Sequence, residues 1–271
     1  MISKTKELLL KVYSKIYNWD KKQVILIISS GRTGTNFMAH WFSLLSDRLF
    51  SVHEPNPDLF HLGVEKYRKK INITLNIMKY KRSLQLYKLN KSSKNIYIES
   101  NPNLVLLLPE VNELFKNLKI IFIKRNFDTY FLSAMNKSPD NSNINYFYGK
   151  PDSRERLTAI DYNDEQFRDE WDNFKREEKI AWWWKKSNKI ISDYQENNKN
   201  SITVNFEDLF SKDNRMVLNK ILDFLLIESI NLSAENLAYF KNKKNTNELK
   251  RLKSFDELNN NLKDRLNKII S

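Results

Sequence analysis

The sequence predicts an α/β fold, a single domain with a central, mostly parallel β-sheet flanked by helices on both faces. Three observations predict it. Short apolar runs rich in β-branched residues alternate with longer stretches of helical spacing. The first run is apolar almost throughout, as a strand buried on both faces requires. A glycine-bearing turn then joins that run to the next helix, the place where backbone N–H groups and a helix dipole converge.

The elements follow in order. Met1 to Asp20 carries lysines and apolar residues at helical spacing (Leu8, Leu9, Val12, Ile16, Trp19), which predicts an amphipathic helix within residues 1–22. Two readings stand for it: packing on the domain, and weak contact with a membrane surface. It has no continuous apolar core and no small-residue cleavage site, so it is not read as a signal peptide. Gln23 to Ser29 (QVILIIS) is the buried strand, and Phe37 to Leu49 the helix after it. Phe50 to His53 reads as a second strand, closed by Glu54-Pro55-Asn56-Pro57. Residues 61–94 suggest one or two helices with a basic face, and Asn95 to Ser100 a third strand. A helix over Leu104 to Leu118, interrupted near Pro109, leads to the strand Lys119 to Lys124 (KIIFIK) and the helix Phe127 to Asn136. Residues 137–165 have little period and predict a long irregular connection. Trp171 to Tyr194 is helical, and it contains Trp182-Trp183-Trp184. These diverge by about 100° each on a helix and cannot form one platform, so packing is expected of them. Ser201 to Phe206 is a further strand, Arg215 to Leu226 a helix, and the chain turns helical again from about Ser254. No repeat or linker divides residues 1–271.

Composition narrows the chemistry. The chain has 271 residues, 41% hydrophobic and 13% aromatic, enough for a full core. It has no cysteine, which excludes disulfides, thiolate metal sites and a cysteine nucleophile. Its three histidines, His40, His53 and His61, argue against a multi-histidine metal centre. No apolar stretch approaches the roughly 18 residues needed to span a bilayer. The formal charge is +13, with 46 Lys and Arg against 33 Asp and Glu. Residues 61–94 hold ten of the bases against one acid, while 152–178 hold ten acids against five bases. Such charge suggests an anionic partner: nucleic acid, a membrane surface, or phosphate- and sulfate-bearing ligands. Helix-turn-helix, zinc-finger and RRM signatures are absent, so nucleic acid is not expected.

The turn Ser30-Gly31-Arg32-Thr33-Gly34-Thr35-Asn36 is the sharpest signal. Its glycines allow close backbone approach or positive φ, Arg32 brings a cation, and Thr33 and Thr35 bring hydroxyls. A kinase P-loop would place Lys-Ser/Thr after the last glycine, with the hydroxyl on magnesium. Here the cation comes early and Thr-Asn follows, which points to a metal-free transfer from a nucleotide with one 5′-terminal phosphate.

Ile28 to Phe37 (ISSGRTGTNF) resembles the 5′-phosphosulfate-binding loop of the sulfotransferase family, whose donor is 3′-phosphoadenosine-5′-phosphosulfate (PAPS) and whose product nucleotide is 3′,5′-adenosine bisphosphate. Lys119 to Ser133 (KIIFIKRNFDTYFLS) resembles the family's strand ending in Arg-Asn with a Ser eight residues after the Arg. Val204 to Leu209 (VNFEDL) resembles its Y-E-D-L strand end, and Asn219 to Leu226 the helix beyond it. The three motifs occur in the family's order across residues 24–226. The resemblance implies that Gly31, Arg32, Thr33, Gly34, Thr35 and Asn36 bind the 5′-phosphosulfate, and that Arg125 and Ser133 hold the 3′-phosphate. It places Phe37 and Phe206 near adenine. Lys243 and Lys244, within Lys241–Asn245, loosely resemble the family's C-terminal Arg-Lys-Gly loop.

Sulfuryl transfer needs a cation on the leaving phosphate, a base for the acceptor proton, and alignment of the two. Arg32 suits the first task. For the base, cytosolic members use the His of a K-T-H-x-P segment, and its position here is Asn101, which cannot act as one. Many carbohydrate and protein-tyrosine members use a Glu after the second strand, a little over twenty residues past the loop cation. Glu54 stands 22 residues after Arg32 and is the leading candidate, with His53 the alternative. On a regular strand only one of these neighbours would face the cleft. Ser100 and Asn101 are candidates for contact with acceptor or sulfuryl oxygens. The resemblance implies a PAPS-dependent transferase acting on a hydroxyl or amine, foremost of a carbohydrate. Residues 55–94 and 137–180 are the expected acceptor-side insertions, with an anionic glycan as a candidate partner. Intact Golgi-resident members carry an N-terminal anchor, and the expectation here is a soluble cytoplasmic enzyme. The competing readings are a P-loop nucleotide or nucleoside kinase, and a basic nucleic-acid or membrane-surface module with a vestigial phosphate site.

Overall fold

The computed structural model describes residues 4–137, 147–149, 152, 154–227, 232–241 and 252–271. Among these, five strands form one parallel sheet in the order β2-β3-β1-β4-β5. They are β1 (Gln23–Ser29), β2 (Leu49–His53), β3 (Ile96–Ser100), β4 (Asn117–Lys124) and β5 (Ser201–Asn205). β1 is central: Ile27 stands level with Ser100 of β3 on one side and Ile121 of β4 on the other. Val24 to Ile28 are all buried, which is why this strand is a continuous apolar run.

Alternation along β1 builds two cores. Val24, Leu26 and Ile28 face a layer made of α1 (Lys4–Ile16), α3 (Phe60–Arg68), α4 (Leu75–Lys91), α5 (Leu108–Leu114), α6 (Phe127–Met135), α7 (Ala159–Tyr162), α8 (Arg176–Glu196) and α12 (Asn260–Ile270). Ile25 and Ile27 face the other layer, made of α2 (Thr35–Leu45), α9 (Phe206–Leu209), α10 (Arg215–Leu225) and α11 (Ala234–Lys241). The helix after β1 therefore lies on one face and the helix after β4 on the other, although the strands are neighbours. Their loops leave in opposite directions and open a crevice at the carboxyl ends of the strands, the usual ligand position in open α/β sheets.

The differences from expectation are local. Leu104 to Leu118 is not one helix: a 3₁₀ turn, Pro102–Leu107, precedes α5, and Pro109 sits in the first turn of α5, where its missing N–H costs nothing. A 3₁₀ turn at Trp171–Asn173 precedes α8. Phe206 opens α9 rather than ending β5.

The basic 61–94 segment is not simply a solvated face. Arg82 of α4 is buried and pairs with the buried Glu99 of β3 at 2.6 Å. Glu99 also accepts hydrogen bonds from the Tyr97 hydroxyl (2.7 Å) and Asn101 Nδ2 (2.8 Å), while Arg82 Nη1 donates to the Pro57 carbonyl (2.7 Å). This network ties β3 to the 54–58 turn.

Candidate active site

The chain leaves β1 through a turn with Gly31 (φ +87°), Arg32 (φ +56°) and Gly34 (φ +73°) in the left-handed region. Gly34 is doubly required, since a Cβ there would stand 2.6 Å from Phe210 Cζ. Ser29 Oγ organises the turn, accepting from the Gly31 N–H (3.1 Å) and the Thr33 hydroxyl (2.6 Å). Thr35 opens α2, so the positive end of that helix dipole points out of the turn. Ser30 Oγ is buried beside it without a hydrogen-bond partner.

Two arginines meet at the crevice between β1 and β4. Arg32 Nε donates to Ser133 Oγ at 3.2 Å. Arg125 Nη1 donates to the Arg32 carbonyl at 2.5 Å, and its Nε to Thr129 Oγ1 at 3.1 Å. Its guanidinium lies 4.1 Å from the Phe206 ring centre. Neither arginine is ion-paired with a carboxylate among the described residues. Burial lowers the pKa of Arg32, and it pushes that of Arg125 down to about 10, with Glu207 opposing and Arg32 adding to the shift. Both stay charged at neutral pH, as two desolvated cations that gain most from an anion.

The indoles of α8 pin this arrangement. Trp183 Nε1 donates to the Ser30 carbonyl (3.0 Å) and Trp184 Nε1 to the Arg125 carbonyl (2.9 Å). Trp182 Nε1 donates to Asp164 Oδ2 (2.9 Å). Expected as packing residues, the three indoles each also hold a different loop. Phe37 packs against Tyr239 (ring centres 4.5 Å apart) and Phe210 (5.2 Å), and with Phe206 it lines the same cleft.

His53 and Glu54 both enter this cleft. The strand alternation that would exclude one of them ends at His53, because Glu54 takes φ +38°. The Glu54 N–H and His53 Nδ1 both bond the Ser100 carbonyl, at 3.1 Å and 2.9 Å. A carbonyl can only accept, so Nδ1 carries the proton and Nε2 faces outward. Nε2 is 3.8 Å from Glu54 Oε1, and Arg154 Nη2 is 3.7 Å from Glu54 Oε2.

Ser100 and Asn101 correct the sequence reading. Both are wholly buried and face no ligand space. Ser100 Oγ donates to the Thr35 carbonyl (2.7 Å), and Asn101 Nδ2 divides between Glu99 and the Asp58 carbonyl (3.0 Å). They brace the wall. Asn103, two residues on, is the one that lines the cleft, and its Nδ2 is buried without a partner. Lys243 and Lys244 lie outside the described residues.

The cleft has a volume of about 1180 Å³. Its far wall carries Arg154, which pairs with Asp58 at 3.0 Å and lies over Phe60, and Arg156, which pairs with Asp152 at 2.6 Å and lies over Phe147. Lys253 lines it near Ser133 and Asn136, on a segment held by paired bonds between Asn136 and the Leu252 backbone (2.7 and 3.0 Å). Among the described residues no three His, Asp or Glu gather to hold a metal ion.

A family model described as a sulfotransferase domain matches residues 22–269. The chain belongs to the sulfotransferase family. No curated protein matches it. Among solved structures, the sulfotransferase STF1 of Mycobacterium tuberculosis aligns with a TM-score of 0.53 at 12% identity, covering 96% of this chain and 82% of that one, which supports the shared fold. The sulfotransferase domain from the curacin biosynthetic pathway aligns at 0.49 and 17% identity, over 83% and 80% of the two chains. A mouse sulfotransferase complexed with PAP aligns at 0.41 and 19% identity, over 85% and 67%.

In this sulfotransferase the loop, Arg32, Arg125, Ser133, Phe37, Phe206, His53 and Glu54 converge on one cleft. Sequence reading missed Asn103, Arg154 and Lys253. Arg154 and Lys253 lie in segments without periodicity, where only the fold shows which side chains turn inward. Asn103 had a sequence signal, its place just after the Asn101-Pro102 pair at the end of β3.

Proposed function

We propose that this sulfotransferase uses PAPS as donor and passes the sulfuryl group to an acceptor hydroxyl, foremost of a carbohydrate. One observation carries the reading: two desolvated guanidiniums, neither ion-paired among the described residues and one of them bonded to the backbone carbonyl of the other's residue, stand at a helix N-terminus, beside the unpartnered Ser30 Oγ. That donor set fits a nucleotide with anionic groups at both ends and needs no divalent ion. PAPS, when bound, supplies the sulfuryl group and a phosphate leaving group. The turn N–H groups and Arg32 would hold the 5′ end and the negative charge that grows on the leaving oxygen. Arg125, Ser133 and Lys253 would take the 3′-phosphate, and Phe37 and Phe206 the adenine.

Glu54 would accept the acceptor's proton as the new O–S bond forms and the bond to the phosphate oxygen breaks. His53, fixed through Nδ1, would present Nε2 to the cleft as the alternative acceptor for that proton. Asn103 Nδ2 is free to donate to a sulfuryl or acceptor oxygen. The aromatic rings Phe60, Phe147 and Tyr148, interleaved with Arg154 and Arg156, support a sugar face bearing negative charge. Calorimetry tests the donor: 3′,5′-adenosine bisphosphate should bind at least tenfold more tightly than 5′-AMP. Binding of ATP with magnesium and not of the bisphosphate would refute the reading. A panel of glycans incubated with radiolabelled donor tests the acceptor.

A further inference from the structure

The outer face of α1 is apolar and has no partner. Leu8, Val12 and Ile16 follow at four-residue intervals and Leu9 lies beside them, so the four share one stripe about 100° wide. Their exposures decide its nature: Leu8 64%, Leu9 63%, Val12 48% and Ile16 67%. The inner side of the same helix makes the contacts with the body. Tyr80 of α4 donates to Glu7 (3.2 Å), Asn90 donates to the Tyr13 hydroxyl (2.8 Å), and Tyr13 meets Tyr87 edge-on at 5.5 Å. The stripe therefore points away from the domain. Tyr17 and Tyr87, both more than 40% exposed, extend the same region. The other exposed large apolar side chains among the described residues are scattered: Leu44 on α2, Ile71 between α3 and α4, Ile160 on α7, and Met216 and Leu226 at opposite ends of α10. Isolated residues of that kind are ordinary, while a contiguous apolar patch marks an interaction surface.

Charge selects the occupant. Lys11 and Lys15 lie along one flank of the stripe. The neighbouring α4 adds Lys79, Lys81, Lys88 and Lys91 and contains no acid. Among the described residues Lys15, Lys79, Lys88 and Lys91 form no ion pair, while Lys11 pairs with Glu7 at 3.2 Å and Lys81 acts on the same carboxylate. A second copy would bring two such basic faces together in a chain of charge +13. A few side chains also fall well short of the roughly 800 Å² per partner that a stable protein interface buries. We propose that α1 is a peripheral membrane anchor that lies in the headgroup region of an anionic phospholipid bilayer, apolar stripe inward, with the lysines of α1 and α4 on lipid phosphates and carboxylates.

Flotation of the full chain with vesicles of phosphatidylcholine alone, or with 30% phosphatidylserine, tests this. Binding is expected only to the anionic vesicles and should fall at least fivefold in 0.5 M NaCl. Leu9→Glu with Ile16→Glu, and separately Lys11→Ser with Lys15→Ser, should each reduce it at least tenfold at low salt. Thermal unfolding and affinity for 3′,5′-adenosine bisphosphate should stay unchanged, since none of these side chains enters a core or the cleft. No binding to anionic vesicles would overturn the proposal, as would binding that survives Leu9→Glu with Ile16→Glu. A dimer in sedimentation velocity that this pair dissociates would also overturn it, assigning the face to a second copy.

Discussion

On the wall built from β1 and β4, Arg32 and Arg125 meet hydroxyls, a carbonyl and an aromatic face; on the wall built from 54–60 and 147–157, Arg154 and Arg156 meet Asp58, Glu54 and Asp152. The first wall leaves its cations wanting an anion. The second has neutralised its own. The first is thus set to bind a fixed, highly charged molecule strongly, and the second to exchange partners, because an incoming anion must displace a carboxylate already in place. In the proposed function the first wall takes the donor and the second the acceptor.

Mutations can break or sharpen it. The largest effect is expected behind the second wall. Arg82→Ala strands the buried Glu99 and should cost about 3–5 kcal/mol of stability, read as a lowered thermal midpoint; a loss below about 1 kcal/mol would mean the network does not hold the 54–58 turn. Glu54→Gln should lower kcat by about 10²–10⁴-fold while affinity for the bisphosphate is kept. Equal kcat would remove Glu54 as base. Arg125→Ala should cost about 1.5–3 kcal/mol of bisphosphate binding and leave adenosine 5′-phosphosulfate affinity nearly unchanged, measured by calorimetry. Gly34→Ala, strained at φ +73° and crowded by Phe210, should cost about 1–3 kcal/mol in stability and weaken the bisphosphate as well. The smallest effect is expected from Asp58→Asn, which weakens the half-buried pair with Arg154 and leaves Arg154 beside Glu54. It should change acceptor KM a few-fold and leave donor affinity alone. A change in donor affinity instead would merge the two walls into one unit.

The same division explains what could be read in the sequence. Ser30 to Asn36, and Arg125 with Ser133, are legible because one strand end and the first turns of one helix place them by local geometry. β1 is legible because burial on both faces leaves only apolar choices. The second wall is not local. Glu54 and His53 share the cleft only because one residue adopts positive φ, which no hydrophobic pattern records. Arg82 sits in a basic run and looks solvated, yet it is buried because Glu99, 17 residues on, faces it across α4 and β3. Asn101 follows the end of β3 and reads in the sequence as a ligand contact, but its amide is consumed by Glu99 and Asp58. Arg154 and Lys253 come from segments whose approach to the cleft depends on tertiary packing alone.

The three successive indoles of α8 have one more consequence. Trp183 and Trp184 are hydrogen-bonded to the carbonyls of Ser30 and Arg125, whereas Trp182 is sealed against Asp164. The molecule thus carries its own optical reporter. Ultraviolet emission from Trp183 and Trp184 should shift when charge arrives beside those carbonyls, Trp182 should stay silent, and occupancy could be followed in real time without attaching a dye.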